Sequence, residues 1–368
     1  MGRIIFGLGL AIVVADNVRR WWRDRELADQ LRAERARKPP LTRTPKVSAL
    51  VAAWNEGDRI DDHIRSFLAL RYPNVELILG AGGNDDTFRR AARYTSDRVV
   101  VLEQRPGEGK QRALAHCFER ASGEIILLTD ADCLYQDDAL AALLRPLIEQ
   151  GEQVATGTSR PLDEQMDKTL PAYAWFADLA SAARSPAYVE GLLGRNAALT
   201  RQALDRSGGL AFSARTGTDY HLAKRLIRSG FRIRQVGASV VPSRYPERLG
   251  AYRRQRSRWL RNLLIHGHRY GATRDVAATL GTILTGALMV IAPALAPVAG
   301  RRVLMPWCWL VAHALGSKLR SALFTARVYQ RPIPVRVLVG LPWLTIVDFA
   351  VWASPIFDLL SPRRRERW

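Results

Sequence analysis

The chain has 368 residues, of which 48% are hydrophobic and 24% charged, enough for one or two domains with cores of ordinary size. Its formal net charge of +20 suits anionic lipid head groups or an anionic nucleotide ligand. Nucleic acid is not an expected partner, because the sequence has no basic stripe interleaved with aromatic residues, no zinc-finger spacing and no helix-turn-helix pattern. Cys117, Cys133 and Cys308 are not spaced as metal ligands or as a disulfide framework, which indicates a reducing, cytosolic environment.

The N-terminus begins with an apolar run. Ile4–Ala15 contains twelve residues, whereas a transmembrane helix needs about 20. Basic residues follow at once, without a small-x-small cleavage site. We predict a membrane anchor over residues 1–18, with an interfacial helix as the alternative. Residues 19–45 are rich in charge and include Pro39 and Pro40, which indicates a basic linker.

From residue 46 onward, short apolar runs alternate with helical patterns. The predicted strands are Val47–Ala53, Val75–Gly80, Arg98–Leu102 and Glu124–Thr129. The predicted helices are Arg59–Ala69, Asp86–Tyr94, Gly109–Ala121 and Asp137–Gln150. This alternation predicts an α/β domain over residues 46–245, with a mostly parallel sheet and helices on both faces. Ligands of such sheets bind outside the carboxyl ends of the strands.

Asp130-Ala131-Asp132 directly follows the fourth predicted strand. Two carboxylates at i and i+2 on such a turn can face one ligand. They would repel a nucleoside diphosphate unless a divalent cation lay between them, and oxygen ligands suit Mg²⁺ or Mn²⁺. The metal would also stabilise a departing diphosphate as a Lewis acid. The alternative is a solvated turn.

Asp219 lies where a helical pattern begins, within Thr216-Gly217-Thr218-Asp219-Tyr220. A carboxylate at this place can act as a general base that takes a proton from a hydroxyl. It can equally cap the helix N-terminus. Both interpretations are open from the sequence alone.

Gln255, Arg258 and Trp259 belong to a basic helical stretch and are spaced i, i+3 and i+4, so they share one helix face. Arg258 could pair with diphosphate oxygens, and Trp259 could stack on a sugar. The alternative is an interfacial helix, in which arginine and tryptophan are ordinary. We predict interfacial helices over residues 246–275.

Residues 276–362 are predicted to form the C-terminal membrane segments, with a basic tail at 363–368. Val276–Ala299 has 24 residues without a charge, which is typical of a transmembrane helix. A later apolar stretch contains Asp348 and Asp358, and carboxylates inside a membrane need a partner or a role. Flanking charges do not settle the topology. We expect two crossings plus one hairpin or interfacial helix.

The order of these features over about residues 47–262 resembles the membrane-bound family 2 glycosyltransferases, which include hyaluronan, chitin and cellulose synthases and ceramide glucosyltransferases. The resemblance implies a GT-A fold for the 46–245 domain, which would then be the catalytic domain. It also implies sugar transfer with inversion from a nucleotide-sugar donor, with Mg²⁺ or Mn²⁺ as cofactor.

The resemblance assigns roles by position. Donor binding is implied for Ala53, Asn55, Glu56, Asp85, Lys110, Asp130, Asp132, Gln255, Arg258 and Trp259. Acceptor binding is implied for Gly194, Arg195, Asn196 and Trp259. Asp132 and Asp130 would hold the metal, and Asp219 would be the catalytic base. The chain departs from the family at Gly82-Gly83-Asn84-Asp85, where Asp-Asp-Gly-Ser is usual, and at Thr218, where Glu is usual.

Three functions are compatible with this resemblance. We favour transfer to a lipid acceptor at the cytoplasmic face of a bacterial or archaeal plasma membrane, because few helices are available to enclose a secretion channel. The first alternative is a processive polysaccharide synthase that also translocates a glycan product. The second is a non-catalytic membrane scaffold. The expected partners are a nucleotide sugar, a lipid or glycan acceptor and membrane lipids, and the sequence leaves the oligomeric state open.

Overall fold

The computed structural model describes residues 2–37, 39–212, 216–300 and 303–360. These residues divide into two compact units. The sheet unit comprises the described residues of Glu34–Asp163 and Arg184–Arg244. The helical unit comprises those of Met1–Ala33, Glu164–Ala183 and Tyr245–Trp368. The predicted basic tail at 363–368 lies outside the described residues.

Eight strands form one sheet in the described part of the sheet unit. They are β1 (Val47–Trp54), β2 (Val75–Gly82), β3 (Val99–Glu103), β4 (Ile125–Asp130), β5 (Val154–Pro161), β6 (Tyr188–Val189), β7 (Ala197–Thr200) and β8 (Ile233–Ser243). Their order is β3-β2-β1-β4-β7-β5-β8-β6. β1 pairs in parallel with β2 and β4, β2 with β3, and β5 with β8, while β7 runs antiparallel to β4 and β5. The mostly parallel sheet and its first four strands are confirmed.

Helices cover both faces of the sheet. The helices of this unit are α2 (Ile60–Leu68), α3 (Thr87–Ala92), α4 (Gly109–Arg120), α5 (Asp137–Glu149), α7 (Arg201–Arg206) and α8 (Thr218–Arg228). Alternate residues of a strand face opposite sides of its sheet. Val51 therefore packs in one core with residues of α2 and α5, while its neighbour Leu50 packs in another with residues of α4 and α8. The four helices predicted from the sequence are confirmed as α2, α3, α4 and α5.

The carboxyl ends of β1, β2 and β4 meet at one edge of the sheet. Ala52 of β1 is in register with Asp130 of β4, and Trp54 of β1 with Gly82 of β2. The loops that follow these strands are therefore neighbours, as expected for a ligand site in a parallel sheet.

The helical unit contains α1 (Gly2–Ala36, of which residues 34–36 belong to the sheet unit), α6 (Thr169–Arg184, all but its last residue), α9 (Leu249–Tyr270), α10 (Thr273–Ala299), α11 (Leu304–Tyr329) and α12 (Val335–Leu360). Among the described residues, Thr273–Val298 and Val335–Leu360 are long and apolar enough to cross a membrane. The boundary expected between anchor and linker, at residue 18, lies inside α1. The domain limits and the number of crossings stay predictions.

Candidate active site

Asp130 is the last residue of β4, and two cations neutralise its carboxylate. The Nζ of Lys110 donates a hydrogen bond of 2.6 Å to Oδ1, and the Nε of Arg195 lies 3.8 Å from Oδ2. Burial alone would raise the pKa of Asp130, but the positive charges of Lys110 and Arg195 outweigh it and lower that pKa. Asp130 is therefore ionised at neutral pH.

Asp132 has a different electrostatic environment. Burial is the main cause that raises its pKa, and the negative charge of Asp130 adds to it, although Arg195 opposes the shift. Burial and the negative charge of Asp132 raise the pKa of Glu56 to about 7, although the charge of Arg244 opposes this shift. The half-buried carboxylates of Asp132 and Glu56 therefore interact electrostatically, and an added cation would stabilise the charge of both.

This carboxylate pair fits a hard divalent cation. Within the described ranges, no group of three or more His, Cys, Asp or Glu side chains is arranged to hold a metal ion by itself. Mg²⁺ in proteins is commonly held by one or two carboxylates, and substrate phosphates and water complete the shell. Asp132 suits this role better than Asp130, because Lys110 and Arg195 already pair with Asp130.

The loops after β1 and β2 are tied together by their polar side chains. Asn55, which adopts a positive φ of 58°, accepts a 2.7 Å hydrogen bond at Oδ1 from the backbone of Asn84. Gly83 is required beside it, because a Cβ at Gly83 would lie 2.3 Å from the same oxygen. Asp85 accepts hydrogen bonds from the Gly57 backbone at 3.0 Å and from the Thr87 hydroxyl at 2.6 Å. These bonds fix the shape of the loops.

Ala53, Asn55, Glu56 and Asp85 are therefore neighbours in the structure, as their predicted common role requires. Ala53 is fully buried in β1. The hydrogen bonds to Asp85, above all from Thr87, lower its pKa, so its carboxylate is charged at neutral pH. The Asp85 side chain is also exposed. Its contact with a nucleotide stays a prediction.

Asp219 lies in the first turn of α8, and the capping alternative is wrong because the N-cap residue is Gly217. The carboxylate of Asp219 accepts hydrogen bonds from the Gly194 backbone at 3.3 Å and from the Thr218 hydroxyl at 3.2 Å. A Cβ at Gly194 would lie 2.3 Å from Oδ1 of Asp219. Only glycine therefore allows the backbone to approach this carboxylate so closely.

Lys110 connects the two carboxylates electrostatically. Burial alone would lower its pKa, but the charges of Asp130 and Asp219 outweigh burial and raise it. Lys110 is thus a fixed cation beside both. The structure accordingly brings five of the predicted residues together, namely Lys110, Asp130, Gly194, Arg195 and Asp219.

Asn196 anchors this segment from the core. Its side chain is fully buried, accepts a 2.9 Å hydrogen bond from the Tyr135 hydroxyl and donates one of 2.8 Å to the Thr158 carbonyl. These bonds hold the backbone that carries Arg195 next to Asp130. The predicted contact of Asn196 with an acceptor stays a prediction.

Two polar residues near the carboxylates were missed by the sequence analysis. Arg244 directly follows β8, pairs with Asp58 and lowers the pKa of Glu56 by its charge. His63 on α2 donates a 2.7 Å hydrogen bond from Nδ1 to the Cys133 carbonyl. Burial lowers the pKa of His63 to about 4, so it is neutral. Recognising β8 would have placed Arg244 at a strand end, whereas no sequence signal marks His63.

Gln255, Arg258 and Trp259 lie on α9 of the helical unit, on one helix as predicted. The guanidinium of Arg256 lies 4.9 Å from the ring centroid of Trp259 and donates a 2.8 Å hydrogen bond to Asp178. The donor and acceptor roles of these residues stay predictions.

Residues 45–262 match the family model described as glycosyltransferase like family 2. Two curated relatives are an N-acetylglucosaminyltransferase of Rhizobium sp. (strain N33) and a poly-beta-1,6-N-acetyl-D-glucosamine synthase of Staphylococcus epidermidis. The first is 26% identical over 315 residues, which are 78% of this chain and 69% of that protein. The second is 33% identical over 97 residues, which are 25% of this chain and 23% of that protein. The chain thus spans less than a quarter of the second relative.

A solved structure resembles the whole chain. It is the mannosyltransferase PcManGT from Pyrobaculum calidifontis, in complex with GDP-Man and Mn²⁺. The match has a TM-score of 0.56 and 21% identity, and it covers 98% of this chain and 99% of that one. It bears on the fold alone, and with the family match it confirms the GT-A-type α/β fold.

Proposed function

The chain belongs to glycosyltransferase-like family 2, and from this premise we propose that it is an inverting membrane-bound glycosyltransferase. The proposed reaction moves a sugar from a nucleotide-sugar donor, with UDP as the nucleotide, to a lipid acceptor at the cytoplasmic membrane face. The observation that carries the proposal is the cluster of Lys110, Asp130, Gly194 and Asp219. In this cluster, Lys110 neutralises Asp130 at the end of β4, and the Gly194 backbone holds the carboxylate of Asp219 in the first turn of α8.

Asp219 is the proposed general base. Its carboxylate is held by the Gly194 backbone and the Thr218 hydroxyl, so one orientation is favoured before the acceptor arrives. Asp219 takes the proton of the acceptor hydroxyl. The acceptor oxygen then attacks the anomeric carbon from the face opposite the nucleotide, and the bond between that carbon and the diphosphate oxygen breaks. The product sugar has inverted configuration.

The leaving nucleoside diphosphate carries the charge that develops in this step. Lys110 and Arg195 are fixed cations beside Asp130, and Arg258 on α9 is proposed to contact diphosphate oxygens. Asp132 would hold Mg²⁺ or Mn²⁺, with Asp130 as the second candidate ligand, and the bound metal supplies Lewis-acid stabilisation of the diphosphate. PcManGT was solved with Mn²⁺, which supports a divalent cation in this fold.

The lipid acceptor is supported by the two apolar helices, Thr273–Val298 and Val335–Leu360. They would hold the chain at a membrane, where a lipid hydroxyl is available, and the two such helices found among the described residues are few for a polymer channel. A processive polysaccharide synthase is the second candidate. It is favoured by the relative that synthesises poly-beta-1,6-N-acetyl-D-glucosamine, matched over 97 residues.

A donor screen tests the proposal. The full chain in detergent is incubated with labelled UDP- and GDP-sugars, Mg²⁺ or Mn²⁺ and a total lipid extract. We expect label in the organic phase and its loss in Asp132→Asn and Asp219→Asn, whereas Asp97→Asn, at an exposed position, retains activity. Label in a high-molecular-weight aqueous product would instead support the processive polysaccharide synthase and contradict transfer to a lipid acceptor. No transfer from any donor would favour a scaffold.

A further inference from the structure

The helix that carries Gln255, Arg258 and Trp259 is fixed by polar contacts within the helical unit. Three residues of α9, one before Gln255 and two between Gln255 and Arg258, each donate a hydrogen bond to a carboxylate on another helix. The contacts are Tyr252 Oη to Asp348 Oδ1 at 2.8 Å, Arg256 Nη2 to Asp178 Oδ1 at 2.8 Å, and Ser257 Oγ to Asp358 Oδ2 at 2.5 Å. Asp348 and Asp358 belong to α12, and Asp178 belongs to α6.

Asp348 is the most enclosed of the three carboxylates. It is 1% exposed, although it lies in a helix apolar enough to cross a membrane. Besides Tyr252, it accepts 2.6 Å bonds from the Tyr173 hydroxyl and from the ammonium of Lys318. A buried carboxylate is tolerated when it is paired and hydrogen-bonded. Asp348 therefore has one fixed place, and Tyr252 is bound to it.

The contacts continue from Tyr252 to Trp259. The guanidinium of Arg256 lies 5.3 Å from the Tyr252 ring centroid and 4.9 Å from the Trp259 ring centroid. Both distances are within the range of cation–π attraction. Asp178 holds the same guanidinium from the side of α6. Trp259 thus packs on a cation whose position depends on Tyr252 and Asp178.

We propose that Asp348 is a positioning residue for the transfer reaction. By holding Tyr252, it sets the rotation of α9 and the place of Arg256, and thereby the orientation of Trp259 and Arg258. The proposal rests on the proposed function, in which Arg258 and Trp259 contact the donor diphosphate and the sugar. In this proposal, a carboxylate within a candidate transmembrane helix positions residues that contact the donor.

Two tyrosine variants test this inference without leaving Lys318 unpaired. Tyr252→Phe and Tyr173→Phe each remove one hydroxyl that donates to Asp348, but only Tyr252 lies on α9. We expect kcat to fall about tenfold or more in Tyr252→Phe, with the KM for the donor changed by less than about threefold, since a small misplacement costs rate. Tyr173→Phe retains a kcat within about twofold of wild type.

Hydrogen exchange supplies a second readout that does not need activity. Backbone amides of residues 255–259 are expected to exchange faster in Tyr252→Phe than in Tyr173→Phe. Equal kcat values and equal exchange in the two variants would overturn the inference. A wild-type chain that transfers no sugar would instead contradict the proposed function, and the exchange comparison would still decide whether Asp348 positions α9.

Discussion

Gly194→Ala is expected to displace the proposed base while leaving the donor site intact. The new Cβ would lie 2.3 Å from Oδ1 and 2.4 Å from the carboxyl carbon of Asp219, whereas ordinary van der Waals contacts begin at 3.4 Å. The carboxylate must therefore move by about 1 Å, and it also loses the geometry of its hydrogen bond from the Gly194 backbone. A displacement of about 1 Å at a reacting group can cost about 100-fold in rate.

The assay compares turnover with donor binding. We expect kcat to fall about 100-fold in Gly194→Ala, with nucleoside diphosphate affinity in the presence of Mn²⁺ unchanged, as measured by calorimetry. Gly191→Ala is the matched control, because no atom lies within 4 Å of a Cβ at Gly191. If Gly194→Ala retained wild-type kcat, or if it lost only donor affinity, Asp219 would not be the base held by this backbone.

Three further predictions concern charge, metal and stability. Lys110→Met removes the ammonium that donates to the partly buried Asp130 and leaves Arg195 beside it. We therefore expect kcat/KM to fall at least about tenfold. Unchanged kinetics would show that Lys110 is only a surface lysine. Removal of divalent cations with EDTA should abolish turnover and Mn²⁺ should restore it, whereas full activity after chelation would contradict a metal at Asp132. In Glu76, burial alone would raise the pKa, but hydrogen bonds from Ser48, Ser122 and Lys46 outweigh it and lower the pKa from 4.5 to about 2. Because the folded-state pKa is lowered, the charge of Glu76 stabilises the fold above pH 4.5 and this contribution is lost as the pH falls towards 2. With the shift discounted for solvent screening at a partly accessible site, Glu76→Gln should therefore lower the free energy of unfolding by about 2 kcal/mol at pH 7. Urea denaturation measures this difference, which should shrink near pH 2–3. A constant difference across this range would refute the linkage.

Strands β1, β2 and β4 could be predicted because they are buried on both faces along nearly their whole length. β1, β2 and β4 are nearly continuous apolar runs, and such runs between helical patterns indicate a parallel sheet. The other strands give weaker signals. β7 has only four residues. β8 mixes polar and apolar residues without a period of two, and its register to β5 shifts between Thr156 and Thr158. Their place in the sheet depends on pairing between distant segments.

The candidate site was predictable by residue type but not by contact. Asp130, Asp132 and Asp219 stood out because carboxylates follow a strand or begin a helix. The sequence does not show that Gly194 touches Asp219 from 25 residues away, or that Asn196 turns into the core. Likewise, Asp348 was recognised as a carboxylate in need of a partner, but its bonds to Tyr173 and Tyr252 span 175 and 96 residues. Such contacts follow from tertiary packing.

The most direct measurement of the central claim is sugar transfer by the wild-type chain and by Asp219→Asn, with a labelled donor, Mn²⁺ and lipid extract. The account predicts that the wild-type chain places label in an organic-extractable lipid with inverted anomeric configuration. It also predicts that Asp219→Asn binds nucleoside diphosphate normally but transfers no sugar. Transfer by Asp219→Asn at the wild-type rate, or a product with retained configuration, would contradict it.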